Sequence, residues 1–327
     1  MTLTSSGGIT DTGAHTISGS SLQVSAANGV GSASAPLLTA VSSLQVTNST
    51  SGDVAVSNTG DLTVSDIGTL GYGLSQQAFT GSVYLNSSGA LTVSAPVQVS
   101  GTTGNVALNA GTGISVDGAV SVPTGGTVGL LTSTGDITQS APITATYASA
   151  AATTGNVTLN NESNNIGTVA ISAGGTSGID FESGIAFSVG NVGGIGGSIP
   201  ALSGMSATGV SSGYAIQMQT ANGFRAITIG ATVDGGSADV LINSSAQILQ
   251  STGGQINANA LSLVSAADVG SSSTPLLVNT SLLNASSSGG VYVTNNGPAL
   301  GIGSITASNG VVLYSSGTMT LAPCKLH

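Results

Sequence analysis

Three successive segments of the chain open on a glycine and then repeat one pattern of apolar residues. The opening glycines, Gly81, Gly104 and Gly126, lie 23 and 22 residues apart. Within each segment, valine, leucine or isoleucine alternates with small or polar residues over short stretches that glycine-containing turns separate. Alternation bounded by such turns is typical of half-buried β-strands. Because self-similarity at a period of roughly 20 to 50 residues is typical of stacked repeats, the pattern predicts a solenoid.

The repeat also predicts which residues lie above one another in successive coils. The first column consists of V-x-L tripeptides: Val83–Leu85, Val106–Leu108, Val128–Leu130 and Val157–Leu159. The second column contains Leu91, Ile114 and Ile137, and the third contains Val97, Val120 and Ile143. Since successive residues of a strand point to opposite faces, the valines and leucines are predicted to point inward, and Ala107 and Gly129 outward. On this register we expect Ala107→Ser to be nearly neutral.

A longer repeat encloses the short one. The nonapeptide VGSASAPLL at residues 30–38 returns as VGSSSTPLL at residues 269–277. Aligned around it without a gap, Ile9–Leu38 and Ile248–Leu277 share eleven of thirty positions. We interpret the chain as one long cassette followed by the start of a second, which runs out near Leu321.

This interpretation divides the chain into one rod and a short tail. The rod is predicted over residues 1–321, with homologous cassette starts at 9–67 and 248–305. Between residues 173 and 224 the rhythm fades, and three of the four phenylalanines lie there. We expect this glycine-rich stretch to form irregular coils or a ledge that projects from the rod. The tail at 322–327 abandons the pattern, and a cloning or truncation scar is our preferred explanation for it.

Composition explains how such coils can stack. Charged residues make up 4% of the chain, whereas an ordinary globular domain has about 25%. Like charges in successive coils would lie about 4.8 Å apart, while serine, threonine and asparagine can form hydrogen-bonded ladders at that spacing. Disorder is not expected, because 40% of the residues are hydrophobic and the apolar residues fall in register. We therefore predict an all-β fold, a right-handed parallel β-helix of about fourteen coils.

Four prolines help to place the strands. Pro36, Pro96, Pro142 and Pro275 each directly precede an apolar pair or triplet. Proline is tolerated at the first residue of a strand but not in its interior. We therefore expect a strand to begin at or directly after each of them.

The cassette resembles the repeat region of a known class of secreted protein. VGSASAPLL is followed by GDVAVSNTGDLTV at 52–64 and GSVYLNSSGALTV at 81–93, and together these look like repeats of filamentous-haemagglutinin-like exoproteins. The resemblance implies a stalk segment of a giant adhesin of Gram-negative bacteria, exported by a two-partner or autotransporter route to the cell surface or medium. It also implies ligands on host or neighbouring cells, bound through regions outside this segment. The family's Asn-Pro-Asn motif and carboxy-terminal barrel are missing, so we expect this chain to be cut from a longer parent.

Residues that carry chemistry are few. Two histidines, His15 and His327, and one cysteine, Cys324, have no metal-ligand spacing, and we expect no zinc site. Two basic residues and a formal net charge of −10 argue against nucleic-acid binding, which requires neutralisation of phosphates. No lysine follows a glycine cluster in the manner of a phosphate-binding loop. We therefore predict no catalytic residue, no cofactor, no metal and no enzymatic activity.

The carboxylates are scattered along the chain. They are Asp11, Asp53, Asp61, Asp66, Asp117, Asp136, Glu162, Asp180, Glu182, Asp234, Asp239 and Asp268. Several directly follow a turn glycine, where aspartate stabilises the turn by local hydrogen bonds. Asp180 and Glu182 form the only close pair that we consider, so a carbohydrate-cleaving β-helix, which needs two facing carboxylates, is the enzymatic alternative.

Two structural alternatives remain beside the stalk. An ice-binding solenoid would share the low charge, but its Thr-x-Thr triplets should recur at coil spacing, and those of this chain do not. A self-assembling extracellular fibre stays open, because unpaired edges of terminal coils invite end-to-end association, which a disulfide through Cys324 could strengthen. No continuously apolar run approaches about 20 residues, so we expect no membrane span. No signal peptide is recognisable after Met1.

Overall fold

The structure, a computed structural model, describes residues 1–12 and 15–321, so the tail with Cys324 and His327 lies outside the described residues. The described part is all-β, without helix, and its parallel strands stack as a β-solenoid of about 14 turns. Thirty-one strands belong to one hydrogen-bonded network, and β20 and β21 form a separate antiparallel pair. The predicted parallel β-helix is confirmed.

The strands have the following bounds. They are β1 Thr2–Ser5, β2 Ile17–Ala26, β3 Leu37–Asn48, β4 Val54–Asn58, β5 Leu62–Val64, β6 Leu74–Gln76, β7 Val83–Ser87, β8 Ala90–Val93, β9 Val97–Val99, β10 Val106–Ala110, β11 Gly113–Val116, β12 Val120–Ser121, β13 Thr127–Thr132, β14 Ile137–Gln139, β15 Ile143–Ala152, β16 Val157–Leu159, β17 Asn165–Ala173, β18 Ile179–Ser183, β19 Phe187–Val189, β20 Asn191–Val192, β21 Leu202–Ser203, β22 Met205–Ala207, β23 Tyr214–Thr220, β24 Ile227–Ile229, β25 Thr232–Asp234, β26 Asp239–Ser244, β27 Ile248–Gln250, β28 Gln255–Ser265, β29 Leu276–Ser287, β30 Val291–Asn295, β31 Ala299–Ala307, β32 Val311–Ser315 and β33 Thr318–Leu321. Strands β3, β9, β15 and β29 begin directly after the four prolines, as predicted.

The three columns stack in the predicted register over three coils. Val106 pairs with Val83 on one side and with Val128 on the other. The same holds for Ile114 between Leu91 and Ile137. Val120 likewise lies between Val97 and Ile143. These apolar side chains point inward and are almost completely buried, so one continuous apolar core runs along the axis of the rod.

The fourth V-x-L tripeptide does not lie in the first column, and our assignment of it was wrong. Val157 pairs with Ile137 and therefore belongs to the second column. The first column continues instead through the second half of β15, where Ala148 and Ala150 pair with Val128 and Leu130. Alanine provides the inward-facing side chain there, so the V-x-L pattern is absent although the coil is regular.

The two cassette starts make equivalent pairings. Val30 bridges Ile9 and Val54, and its counterpart Val269 bridges Ile248 and Val291. The stacked strands form the wall of the solenoid. In both copies the residues between this bridge and the following strand, 31–36 and 270–275, leave that wall as a short outward loop. The repeated nonapeptide thus forms the same excursion twice, and its leucine pair brings the chain back into the sheet.

Two buried threonines permit a matched test of the polar groups within this wall. The Thr132 hydroxyl is buried and has no hydrogen-bond partner among the described residues. The Thr39 hydroxyl is equally buried and donates to Asn58 Oδ1 at 2.8 Å. Because an unsatisfied buried hydroxyl costs about 1–3 kcal/mol, we expect Thr132→Val to raise the free energy of unfolding by about 1–2 kcal/mol.

The matched change Thr39→Val removes a hydrogen bond from an otherwise similar site, and should lower the free energy of unfolding by about 1 kcal/mol. Urea denaturation of both variants measures the difference. If both substitutions lower the free energy of unfolding, the Thr132 hydroxyl has a hydrogen-bond partner after all.

Candidate binding groove

A column of small residues runs along one outer face of the rod. It is formed by outward-facing positions of β4, β7, β10, β13, β15 and β17, which pair in register. The members of the column are Ala55, Tyr84, Ala107, Gly129, Ser149 and Ala170. Apart from Tyr84, every member has a side chain of at most two heavy atoms. The column therefore forms a shallow channel across six coils.

Two excursions of the chain cover most of this channel. The first is the nonapeptide loop 31–36, which lies beside Ala55. The second comprises residues 190–204, here called the strap, which leaves the wall after β19, forms the β20–β21 hairpin and returns at β22. Ile195 and Ile199 of the strap pack against Ala107 and are themselves buried.

The strap corrects one expectation drawn from strand alternation. Ala107 does point outward, but it is only 1% exposed because the strap covers it. Gly129 is covered in the same way: a Cβ atom there would lie 2.9 Å from Ile195 Cδ1 and from Ile199 Cγ2. The prediction that Ala107→Ser is nearly neutral assumed that residue 107 is exposed. It does not hold, because a serine hydroxyl there would be buried between the coil and the strap.

Between the two covers lies a cavity of about 100 Å³ that Tyr84 helps to line. Ala33 and Pro36 form one wall, and Ser198 at the tip of the strap forms the other. A second, polar column borders the floor: Ser57, Asn86 and Asn109.

The chemistry of this groove is neutral. Its lining contains a phenol ring, two carboxamides and hydroxyl groups, but no acidic side chain and no lysine, arginine or histidine. Asn86 Nδ2 lies 3.5 Å from Ser57 Oγ, and this is a weak contact that a ligand could replace. An aromatic surface with a few convergent polar groups is shared with small-ligand sites, but this cavity is smaller than the roughly 300–1,000 Å³ of such pockets and has room for one small group of a ligand. The groove therefore suits an uncharged group that has one apolar face and several hydroxyls or amides.

The carboxylates proposed for the enzymatic alternative are held by neighbouring amides. Asn160 Nδ2 donates to Asp180 Oδ2, and Gln219 Nε2 donates to Glu182 Oε2, both at 2.7 Å. Among the described residues, histidine, cysteine, aspartate and glutamate form no cluster of three that could hold a metal ion. His15 Nδ1 lies 3.5 Å from Asp11 Oδ1.

Most turn aspartates have a structural role that sequence reasoning recognised only in outline. Asp53 Oδ1 accepts from the backbone N–H of Ser82 in the next coil at 2.9 Å, Ser82 Oγ accepts from Asn105, and Asn105 Oδ1 accepts from Thr127. Each side chain thus satisfies an N–H one coil further along. The same contact is made by Asp61, Asp136, Asp239 and Asp268. Side-chain oxygens therefore continue the ladder around the turns, where strand pairing stops.

The glycine-rich stretch at 173–224 contains regular coils as well as the strap. Phe181 and Phe187 lie in the core with ring centroids 4.9 Å apart in an edge-to-face arrangement. Phe224, in contrast, is 95% exposed with φ of 20°, and Arg225 follows it. A concavity of about 510 Å³ lies beside Phe224 and is lined mainly by serine, threonine and asparagine.

One loop carboxylate has a perturbed pKa. The backbone N–H of Gly71, which donates to Asp66 at 2.7 Å, holds the pKa of Asp66 below its ordinary value of 3.8, and further donors are Leu70 and Gln45. A depressed pKa stabilises the loop at pH values above 3.8, and this contribution is lost as the pH falls through the lower, folded-state value.

We expect the amide resonances of Leu70 and Gly71 to titrate with a midpoint below 3.8, and Asp66→Asn to abolish that titration. A midpoint at or above 3.8 would contradict these contacts.

In comparisons with known proteins, no protein-family model, no curated protein and no solved structure matches the chain. Among the described residues, no helix is long and apolar enough to cross a membrane.

Proposed function

We propose that the chain is a structural stalk segment of a secreted, cell-surface exoprotein of the filamentous adhesin type. The observation that carries this proposal is the continuous, in-register β-solenoid of about 14 turns, in which a long cassette begins a second time. A stack of coils with a shared core extends without limit by adding further copies, which suits a spacer between a cell surface and a distal contact. The resemblance of the cassette to haemagglutinin-like repeats supports the same class.

In this proposal the rod supplies length and no catalysis. Ligands on host or neighbouring cells are bound mainly by other regions of the parent, and the groove over Tyr84 is the contact that this segment itself offers. Its neutral lining favours an uncharged polar group. Asp180 and Glu182 have a structural role, because their carboxylates accept hydrogen bonds from side-chain amides of adjacent coils.

Surface labelling tests the location. An antibody raised against the purified chain should label intact cells of the source organism, with gold particles at a distance from the outer membrane, and protease treatment of intact cells should remove the label. Label that resists protease until the cells are lysed would contradict the proposal. Turnover of any polysaccharide that Asp180→Asn or Glu182→Gln abolishes would contradict the absence of catalysis.

A self-assembling fibre is the second candidate, and exposure at one end of the rod favours it. Val311 and Leu321 of the last described coil are 45% and 83% exposed, and among the described residues β32 and β33 pair on one side only. Open strand edges pair through backbone groups, so association should depend on concentration and little on salt. Sedimentation with reductant present measures it, and a strictly monomeric chain at high concentration would exclude the fibre.

A further inference from the structure

We propose that the strap is a clasp that makes the coils from β7 to β17 open as one unit. In an ordinary solenoid each coil contacts only its neighbours, so coils can open one after another. The strap departs from this arrangement, since it starts beside β17 and reaches back across β15, β13 and β10 to β7. This inference does not depend on the proposed function.

Apolar side chains attach the strap to the wall. Val192, Ile195 and Ile199 are 1%, 3% and 2% exposed, although the strap contributes no strand to the main sheet. At its tip, Gly196 adopts φ of 54° and lies directly against the ring of Tyr84, where a Cβ atom would come within 2.3 Å of Cε1. The tip thus needs glycine in order to lie on the aromatic ring.

Among the described residues, backbone hydrogen bonds join the strap to the wall at its two ends, where the Gly190 N–H donates to Val169 and the Gly204 carbonyl accepts from Ile171. Those of residues 191–203 are internal to the hairpin: Ile195 and Ile199 exchange bonds, and β20 pairs with β21. Its attachment between these ends rests on packing into the small-residue channel. Opening any one of the coils that it covers therefore requires the buried side chains of the strap to leave the channel as well.

One buried hydroxyl opposes docking of the strap. Ser149 points outward from β15, against which β20 packs, yet it is 1% exposed and its Oγ has no partner among the described residues. Lifting the strap would return this hydroxyl to water. The docked state therefore carries an unsatisfied group that the open state does not.

Hydrogen exchange at increasing denaturant tests the clasp. In the wild-type chain, the slowest amides of β7, β10, β13, β15 and β17 should converge on one opening reaction. In the Ile195→Ser/Ile199→Ser variant, the same strands should exchange at separate rates that differ by tenfold or more from coil to coil. Separate rates in the wild type, or one common rate in the variant, would overturn the proposal.

Two glycines provide a matched control with opposite expected signs. Gly129 lies under the strap, whereas Gly19, also within a strand, has no atom within 4 Å of an added Cβ. Because glycine weakens a strand interior, Gly19→Thr should slow exchange of its neighbours. Gly129→Thr should instead expel the strap and raise exchange of the amides of residues 191–203 at least tenfold. Slower exchange in both variants would show that the strap is not docked on Gly129.

A stabilising substitution keeps the test decisive if the isoleucine variant does not fold. Ser149→Ala removes the unsatisfied hydroxyl and leaves the channel intact, so exchange of the strap amides should slow about fivefold or more. Unchanged or faster exchange in that variant would contradict the placement of Ser149 beneath the strap.

Discussion

Leu85→Asp is expected to lower the free energy of unfolding by about 5 kcal/mol or more. Leu85 points into the core, is 1% exposed and lies between Val56 and Leu108 of the adjacent coils. Loss of a buried leucine costs about 2–5 kcal/mol. A carboxylate in the same place has no partner in an apolar core, so its burial adds a further penalty of several kcal/mol.

The next residue of the same strand is the matched control. Asn86 points outward and is exposed, so Asn86→Asp introduces the same side chain on the other face and should change stability by less than about 1 kcal/mol. Urea denaturation followed by circular dichroism compares the two variants. Similar midpoints would mean that the inward and outward faces of β7 have been exchanged.

The second large effect is expected at the start of the repeated loop. Gly31 and Gly270 adopt φ of 62° and 63°, and an added Cβ would lie 2.6 Å from the carbonyl oxygen of Ala55 and 2.4 Å from that of Tyr292, respectively. Left-handed backbone costs an L-residue about 1–2 kcal/mol, and relieving contacts with backbone atoms requires the wall to move. We expect Gly31→Ala and Gly270→Ala each to lower stability by about 3 kcal/mol or more.

Gly60 distinguishes the cost of the left-handed backbone from the cost of the close contacts. It adopts φ of 89° but has no atom within 4 Å of an added Cβ, so Gly60→Ala should show the backbone cost alone, about 1–2 kcal/mol. Thermal unfolding of the three variants gives the comparison. If Gly60→Ala proves as harmful as Gly31→Ala, the loop does not lie against the following coil as described.

Much of the wall could be predicted from sequence because its determinants are local. Alternation fixes which side of a strand is buried, and the spacing of glycine turns fixes which strands stack. The approach failed at Val157, where β15 uses alanines instead of valine and leucine for its inward positions. Alanine fills the inward positions of that coil, but it leaves no V-x-L pattern to recognise.

The strap and the groove could not be predicted in the same way, because they depend on contacts between residues far apart in sequence. Ile195 and Ile199 lie in a glycine-rich stretch without strand periodicity, about 90 residues after Ala107. A signal nevertheless exists on the other side of the contact. Outward positions of a solenoid are usually threonine, asparagine or serine in this chain, whereas β10, β13 and β17 carry alanine or glycine there. Small outward residues in consecutive coils indicate that a second layer covers them.

Parallel, in-register stacking is the central claim, and distances along one outer column test it most directly. Thr4, Ser25, Thr47, Ser75, Gln98, Ser121, Thr144 and Asn165 lie above one another in consecutive coils. Spin labels on cysteines placed in pairs at exposed members of this column, in a Cys324→Ser background, allow the spacing to be measured by pulsed electron paramagnetic resonance.

The strand spacing of about 4.8 Å predicts separations of about 14 Å for Ser25 and Gln98, about 24 Å for Ser25 and Thr144, and about 34 Å for Thr4 and Asn165. These pairs are three, five and seven coils apart. A linear increase with the number of coils is the expected result. Separations that do not increase with the number of coils would contradict the parallel solenoid.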